Sequence, residues 1–151
     1  MVQVTLEVNP HDLPTLPGKI PQIMEKGLKL TGLGMIGELT KNSPVDEGLL
    51  RQWFIESESN EEIVIKTPAE YAQYVNDGTG VYAGNGIIRP SGKALKFEPG
   101  AKWSGPVGKD GFVYLAYSRG QKGQKFVEKS IEATNSKITG YFQIAIREVL
   151  S

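Results

Sequence analysis

Apolar and polar residues alternate from the start of the chain, with Val2, Val4, Leu6 and Val8 separated by Gln3, Thr5 and Glu7. This period of two predicts a half-buried strand. A proline-marked turn follows, and from Pro17 to about Leu39 the spacing lengthens to three and four residues, through Ile20, Met24, Leu28, Thr31, Met35 and Leu39. That spacing predicts a helix, weakened internally by Gly27, Gly32 and Gly34, each costing up to about 1 kcal/mol relative to alanine. Leu49 to Glu56 and Glu61 to Thr67 predict two strands joined by the polar turn Ser57-Glu58-Ser59-Asn60, since Ile63, Val64 and Ile65 are β-branched. Such a pair reads as a hairpin.

After it, Pro68 to Asp77 predicts a short helix with Tyr71, Tyr74 and Val75 on one face and Gly78 as its stop. The glycine-rich run from Gly78 to Gly86 predicts a flexible excursion loop; it lacks the Gly-Lys-Ser/Thr ending of a phosphate-binding loop. Ala94 to Glu98 and Gly111 to Tyr117 predict two further strands, separated by a Gly/Pro-rich loop around Trp103. Phe126 to Leu150 carries Val127, Ile131, Thr134, Ile138, Tyr141, Ala145 and Val149 at helical spacing, with Asn135-Ser136 and Gly140 as points where the helix could break. The order implies an α+β domain: an antiparallel sheet of about five strands, with a long N-terminal, a short middle and a long C-terminal helix packed on it. At 151 residues, a single domain spanning the whole chain is expected, residues 1–16 being an N-terminal strand and turn.

Composition narrows the chemistry. There is no cysteine, which removes disulfides and thiolate sites, and the one histidine, His11, lies in the turn sequence Asn9-Pro10-His11-Asp12-Leu13-Pro14. No metal site, cofactor or catalytic residue is therefore expected. No apolar run reaches membrane-spanning length, and Met1-Val2-Gln3-Val4-Thr5 has neither the basic nor the apolar region of a signal peptide, so neither export nor a membrane partner is expected. The formal net charge is zero but unevenly spread. Residues 38–77 hold nine acids against three bases, a net of −6, and residues 89–129 hold nine bases against three acids, a net of +6. These are either solvated faces that interleave on folding or two complementary surfaces on one molecule.

Four short motifs remain: Ser43-Pro44-Val45-Asp46-Glu47-Gly48-Leu49, Tyr71-Ala72-x-x-Val75-x-x-Gly78-Thr79-Gly80, Ala94-Leu95-Lys96-Phe97 and Gly120-Gln121-Lys122-x-x-x-Phe126. In the first, Pro44 and Gly48 suit a tight turn into an extended segment. Together and in this order they resemble the tail-component family of tailed bacteriophages and prophages, the small neck or tail-completion proteins of the head-to-tail joining region. The resemblance covers about residues 17–150. Members often carry proline just before the phenylalanine of the last motif, where this chain has Lys125.

The resemblance implies a structural virion protein, not an enzyme. Its relatives assemble as rings, commonly sixfold, between the connector and the tail tube, which would place this chain in the virion and, during assembly, in the bacterial host cytoplasm. A homo-oligomer, suspected to be a hexameric ring, is thus expected, with connector and tail-tube proteins as partners. A ring needs two different surfaces that repeat around an axis. The expected interface joins Asp46, Glu47, Glu58, Glu61 and Glu62 of one subunit to Arg89, Lys93, Arg119, Lys122 and Lys125 of the next. Gly78, Thr79 and Gly80 supply an adaptable segment, and Tyr82 and Trp103 act as aromatic anchors. Trp53 reads as core.

Two other classes are weighed against this. A basic ring guiding passing DNA through non-specific phosphate contacts would use the 89–129 segment. A small carboxylate-dependent enzyme ranks last, because Asp46 with Glu47 and Glu61 with Glu62 would point to opposite faces of a strand.

Overall fold

A computed structural model describes residues 2–7, 18–45 and 48–151. His11 and its turn, Val8, Asp46 and Glu47 lie outside the described residues. The chain is α+β, and it divides into two compact units: residues 1–73 with 125–151, and residues 74–124.

In the first unit the alternating segment becomes β1 (Gln3–Glu7), with Val4 buried and Leu6 half-buried. The expected hairpin is present as β2 (Phe54–Glu58) and β3 (Glu62–Lys66). Strand β3 is central and antiparallel to both neighbours, pairing Val4 with Ile65 and Leu6 with Ile63 on one side and Ile55 with Ile65 on the other. Its run Ile63, Val64 and Ile65 is buried without alternation, as suits a middle strand covered on both faces. Strand β2 starts later than expected. Leu49–Arg51 is a 3₁₀ turn entered through Gly48, whose φ of 76° is left-handed.

Helix α1 runs over Ile20–Asn42 and buries Ile23, Met24, Leu28, Met35 and Leu39 on one stripe. It packs on β3 and on both C-terminal helices, α3 (Phe126–Asn135) and α4 (Ile138–Leu150). The glycines that weaken α1 are where its neighbours come closest. A Cβ on Gly32 would lie 3.2 Å from the Ile63 side chain, and one on Gly27 or Gly34 would collide with the rings of Phe142 and Tyr141 of α4. The helix trades propensity for contact there.

The first motif closes α1. Ser43 caps it in an extended conformation (φ −68°, ψ 139°), its hydroxyl donating to the Leu39 carbonyl at 2.5 Å, and Pro44 cannot continue the helix. Trp53 is buried as expected, although it stands just before β2 and not on a strand. Its indole N–H donates to the Leu50 carbonyl at 2.8 Å, and its ring meets Phe126 edge-on at 6.4 Å.

The C-terminal stretch is two helices, broken at Ser136 and Lys137. The break has a local cause: the Ser136 hydroxyl donates to the Ala133 carbonyl at 2.7 Å, while the Lys137 N–H donates to Thr134 at 2.9 Å. It also has a tertiary partner, since the Lys137 ammonium meets the buried Glu38 carboxylate at 2.7 Å. Lys125, before α3, has φ of 54°. Proline, locked near −65°, could not occupy that conformation.

The second unit holds the remaining strands, β4 (Leu95–Phe97) and β5 (Val113–Leu115), as a separate two-stranded antiparallel ladder. The expected single sheet of five is thus a sheet of three and a sheet of two. Helix α2 (Ala72–Asp77) is shorter than expected, and the division between units falls within it. Its buried positions are Ala72 and Asn76, while Tyr71 and Tyr74 are exposed. The aromatic residues of that motif face outward.

Candidate functional site: a glycine clasp and an open arginine face

The second and fourth motifs meet in the second unit. Gly78 and Lys122 form an antiparallel bridge, the Thr79 N–H donates to the Gln121 carbonyl at 2.9 Å, and the Val81 N–H donates to the Arg119 carbonyl at 2.9 Å. The Thr79 hydroxyl accepts from the Gln121 N–H at 2.9 Å. The two backbones approach too closely for side chains. Gly78 (φ 88°), Gly80 (φ 60°) and Gly120 (φ 87°) are left-handed, and a Cβ on any of them, or on Gly123, would run into the opposing main chain. Glycine is required here twice over, by torsion angle and by space.

The expected excursion loop is therefore paired along its first half and coiled into a 3₁₀ turn over Gly80–Ala83. Only Gly84 and Gly86, both at φ 77°, have open space around them. Tyr82, on that turn, is exposed.

A second bridge lies further along. The Ile88 and Ser118 N–H groups exchange hydrogen bonds with each other's carbonyls at 2.8 and 2.9 Å. Residues on either side of such a pair project to the opposite face, so Ile87, Arg89, Tyr117 and Arg119 share one surface. Antiparallel register sets Ile87 across from Arg119 and Arg89 across from Tyr117, a diagonal pair of guanidinium groups interleaved with apolar side chains. With Val81 they line an open depression of about 440 Å³. Neither arginine has a carboxylate partner among the described residues.

Sequence reasoning found Arg89 and Arg119 but missed Ile87, Tyr117 and Val81. The available signal was the repeated apolar-x-Arg spacing in Ile87-Ile88-Arg89 and Tyr117-Ser118-Arg119, too short to mark a strand by itself.

A neighbouring depression of about 570 Å³ is lined by Phe97, Lys102, Trp103, Leu115 and Gln121 among others. Trp103 meets Phe97 edge-on at 5.5 Å and donates to the Pro106 carbonyl at 3.4 Å. Across the β4–β5 ladder, Lys96 lies 3.4 Å from the Asp110 carboxylate and 4.1 Å from the centre of the Phe112 ring. The Tyr114 hydroxyl donates to Asp110, and this bond, ahead of a backbone bond from Phe112 and the nearby Lys96, holds the Asp110 carboxyl below its ordinary range. Lys96 is raised in turn, mainly by its hydrogen bond with Tyr114. That cluster fixes the ladder.

The other expected interface residues are dispersed. Glu58 pairs with Lys29 at 3.6 Å, and Lys125 pairs with Glu128 at 4.0 Å. Glu61 and Glu62 occupy the exposed tip of the β2–β3 hairpin, where their N–H groups donate to the Ser59 hydroxyl at 3.2 and 3.0 Å. Lys93 and Lys122 are exposed in the second unit.

Among the described residues no group of three or more His, Asp or Glu side chains could hold a metal ion, and no helix is long and apolar enough to cross a membrane. Compared with protein-family models, curated proteins and solved structures, the chain matches none of them.

Proposed function

We propose that this chain is a structural virion protein of the phage head-to-tail joining region, a neck or tail-completion protein that assembles as a ring between connector and tail tube. The observation that carries this reading is the glycine clasp. Two motifs about forty residues apart, on which the resemblance rests, fit each other backbone to backbone and so form one structural unit.

The second unit supports the same reading. Of its large apolar side chains only Val113 is buried, while Tyr74, Tyr82, Ile87, Ile88, Phe97, Trp103, Val107, Tyr114 and Tyr117 are exposed. So much apolar surface in a 51-residue unit that carries seven bases and three acids suits burial against other protein surfaces.

Native mass measurement of the purified protein, alone and mixed with candidate connector and tail-tube proteins, tests it. A discrete ring, with six copies the expected number, supports the proposal. A protein that stays monomeric in every mixture, encoded among metabolic genes, overturns it. A second reading draws on Arg89 and Arg119, which have no carboxylate partner among the described residues: non-specific contact with passing duplex DNA. A salt-sensitive gel shift supports that contact, and no shift at low salt dismisses it.

A further inference from the structure

The two arginines of the Ile87, Arg89, Tyr117 and Arg119 face have no carboxylate partner among the described residues, whereas six described carboxylates do pair with a base. Glu38 pairs with Lys137, Glu56 with Lys66, Glu58 with Lys29, Asp110 with Lys96, Glu128 with Lys125 and Glu148 with Lys26. The adjacent acids Glu61 and Glu62 form no ion pair among the described residues, and they stand on a hairpin tip. That tip is built to hold a shape. The Ser59 N–H donates to the Glu62 carbonyl at 2.8 Å while the Ser59 hydroxyl accepts two backbone N–H groups, so the turn is braced before it meets anything.

We propose that the face formed by Ile87, Arg89, Tyr117 and Arg119 is the socket for the acidic hairpin tip, Glu61 and Glu62, of a second copy of this chain. The inference rests on the reading of the protein as self-assembling and deepens it by naming the contact. Charge complementarity selects the occupant: two guanidinium groups meet an acidic tip on which Glu61 stands in the turn, not on the strand that Glu62 opens, and Arg forks bind carboxylates with two parallel hydrogen bonds. Tyr117 and Ile87 exclude water around the pairs and raise their strength above that of rim contacts. Tip and socket are different surfaces, so the contact is head-to-tail and propagates from copy to copy. The anchors of this contact are Tyr117 and Ile87.

The test compares assembly of the wild type, the Arg89→Glu/Arg119→Glu variant, the Glu61→Arg/Glu62→Arg variant and an equimolar mixture of the two variants, by native mass measurement and sedimentation. All four positions are exposed, and circular dichroism checks that each variant folds. The expected result is self-association weakened about 30-fold or more in each variant and restored in the mixture. Because the chain has no cysteine, Glu61→Cys protein mixed with Arg119→Cys protein gives an independent readout: oxidation is expected to produce a cross-link between the two pools.

A wild type that assembles while both variants assemble equally well, with no cross-link, overturns the socket and leaves the ring reading standing. A wild type that never assembles removes both. Duplex DNA that binds the wild type and is released by the arginine variant, with assembly unchanged, assigns the face to a polyanion and overturns the proposal.

Discussion

A Cβ placed on Gly78 would lie 2.6 Å from the carbonyl oxygen of Gln121, forty-three residues further along the chain. The two backbones are in direct contact, so the distance between these motifs in sequence is closed entirely by main chain. Gly78→Ala combines a left-handed torsion with a collision and is expected to lower stability by roughly 2–4 kcal/mol. Gly84→Ala meets open space at a similar φ and is expected to cost only about 1 kcal/mol. Chemical denaturation, with hydrogen exchange of Thr79 and Val81 as a local readout, separates the two.

Helix α1 offers the opposite contrast within one element. Gly37 has nothing near its missing Cβ and an ordinary helical backbone, so Gly37→Ala is expected to raise stability by about 0.5–1 kcal/mol. Gly27→Ala and Gly34→Ala drive a methyl group into Phe142 and Tyr141 and are expected to destabilise by about 1–3 kcal/mol. Thermal midpoints of the three variants check the signs.

The Glu38–Lys137 pair predicts an acid-sensitive fold. The hydrogen bond from Lys137, ahead of its charge and that of Lys41, holds the Glu38 carboxyl below its ordinary value of 4.5, against the opposing effect of desolvation. A depressed carboxylate contributes stability that is present above its unfolded value and lost as pH falls through the lower folded value. Lys137 is raised by the same bond, so its share is present below its ordinary value of 10.5 and lost above the raised one. Denaturation midpoints measured from neutral to strongly acidic pH are expected to fall less steeply in Glu38→Gln than in the wild type. An unchanged acid limb would show that the pair contributes nothing.

The two tryptophans predict two environments. Trp53 is 8% exposed and packed on Phe126, and Trp103 is 36% exposed. Iodide is expected to quench a Trp53→Phe variant, which reports Trp103, far more than a Trp103→Phe variant. Phe126→Ala leaves a cavity beside Trp53 and is expected to cost about 3–5 kcal/mol, against about 1 kcal/mol for Trp103→Ala. Fluorescence and urea midpoints measure both.

How much was legible beforehand differs between the two units. Period-two alternation in Val4 and Leu6, the β-branched run in β3 and the helical stripe of α1 marked the first unit, because each element buries its own repeating face. Pro44 and Gly48 announced the turn, the one by fixing φ and the other by permitting a left-handed backbone. The candidate face was half legible: Arg89 and Arg119 stood out as charges, while Ile87 and Tyr117 did not, since their strand partners lie thirty residues away.

The sequence by itself determined the α+β class, the hairpin and the turn marked by Pro44 and Gly48, all of which follow from local torsion and periodicity. Tertiary structure alone decided that the five strands divide into sheets of three and two, that Lys137 beside the helix break reaches Glu38, and that Gly78 and Gly80 press against Arg119 to Gln121. Those outcomes depend on pairings between distant segments, and a residue's spacing along the chain carries no record of which distant backbone will lie against it.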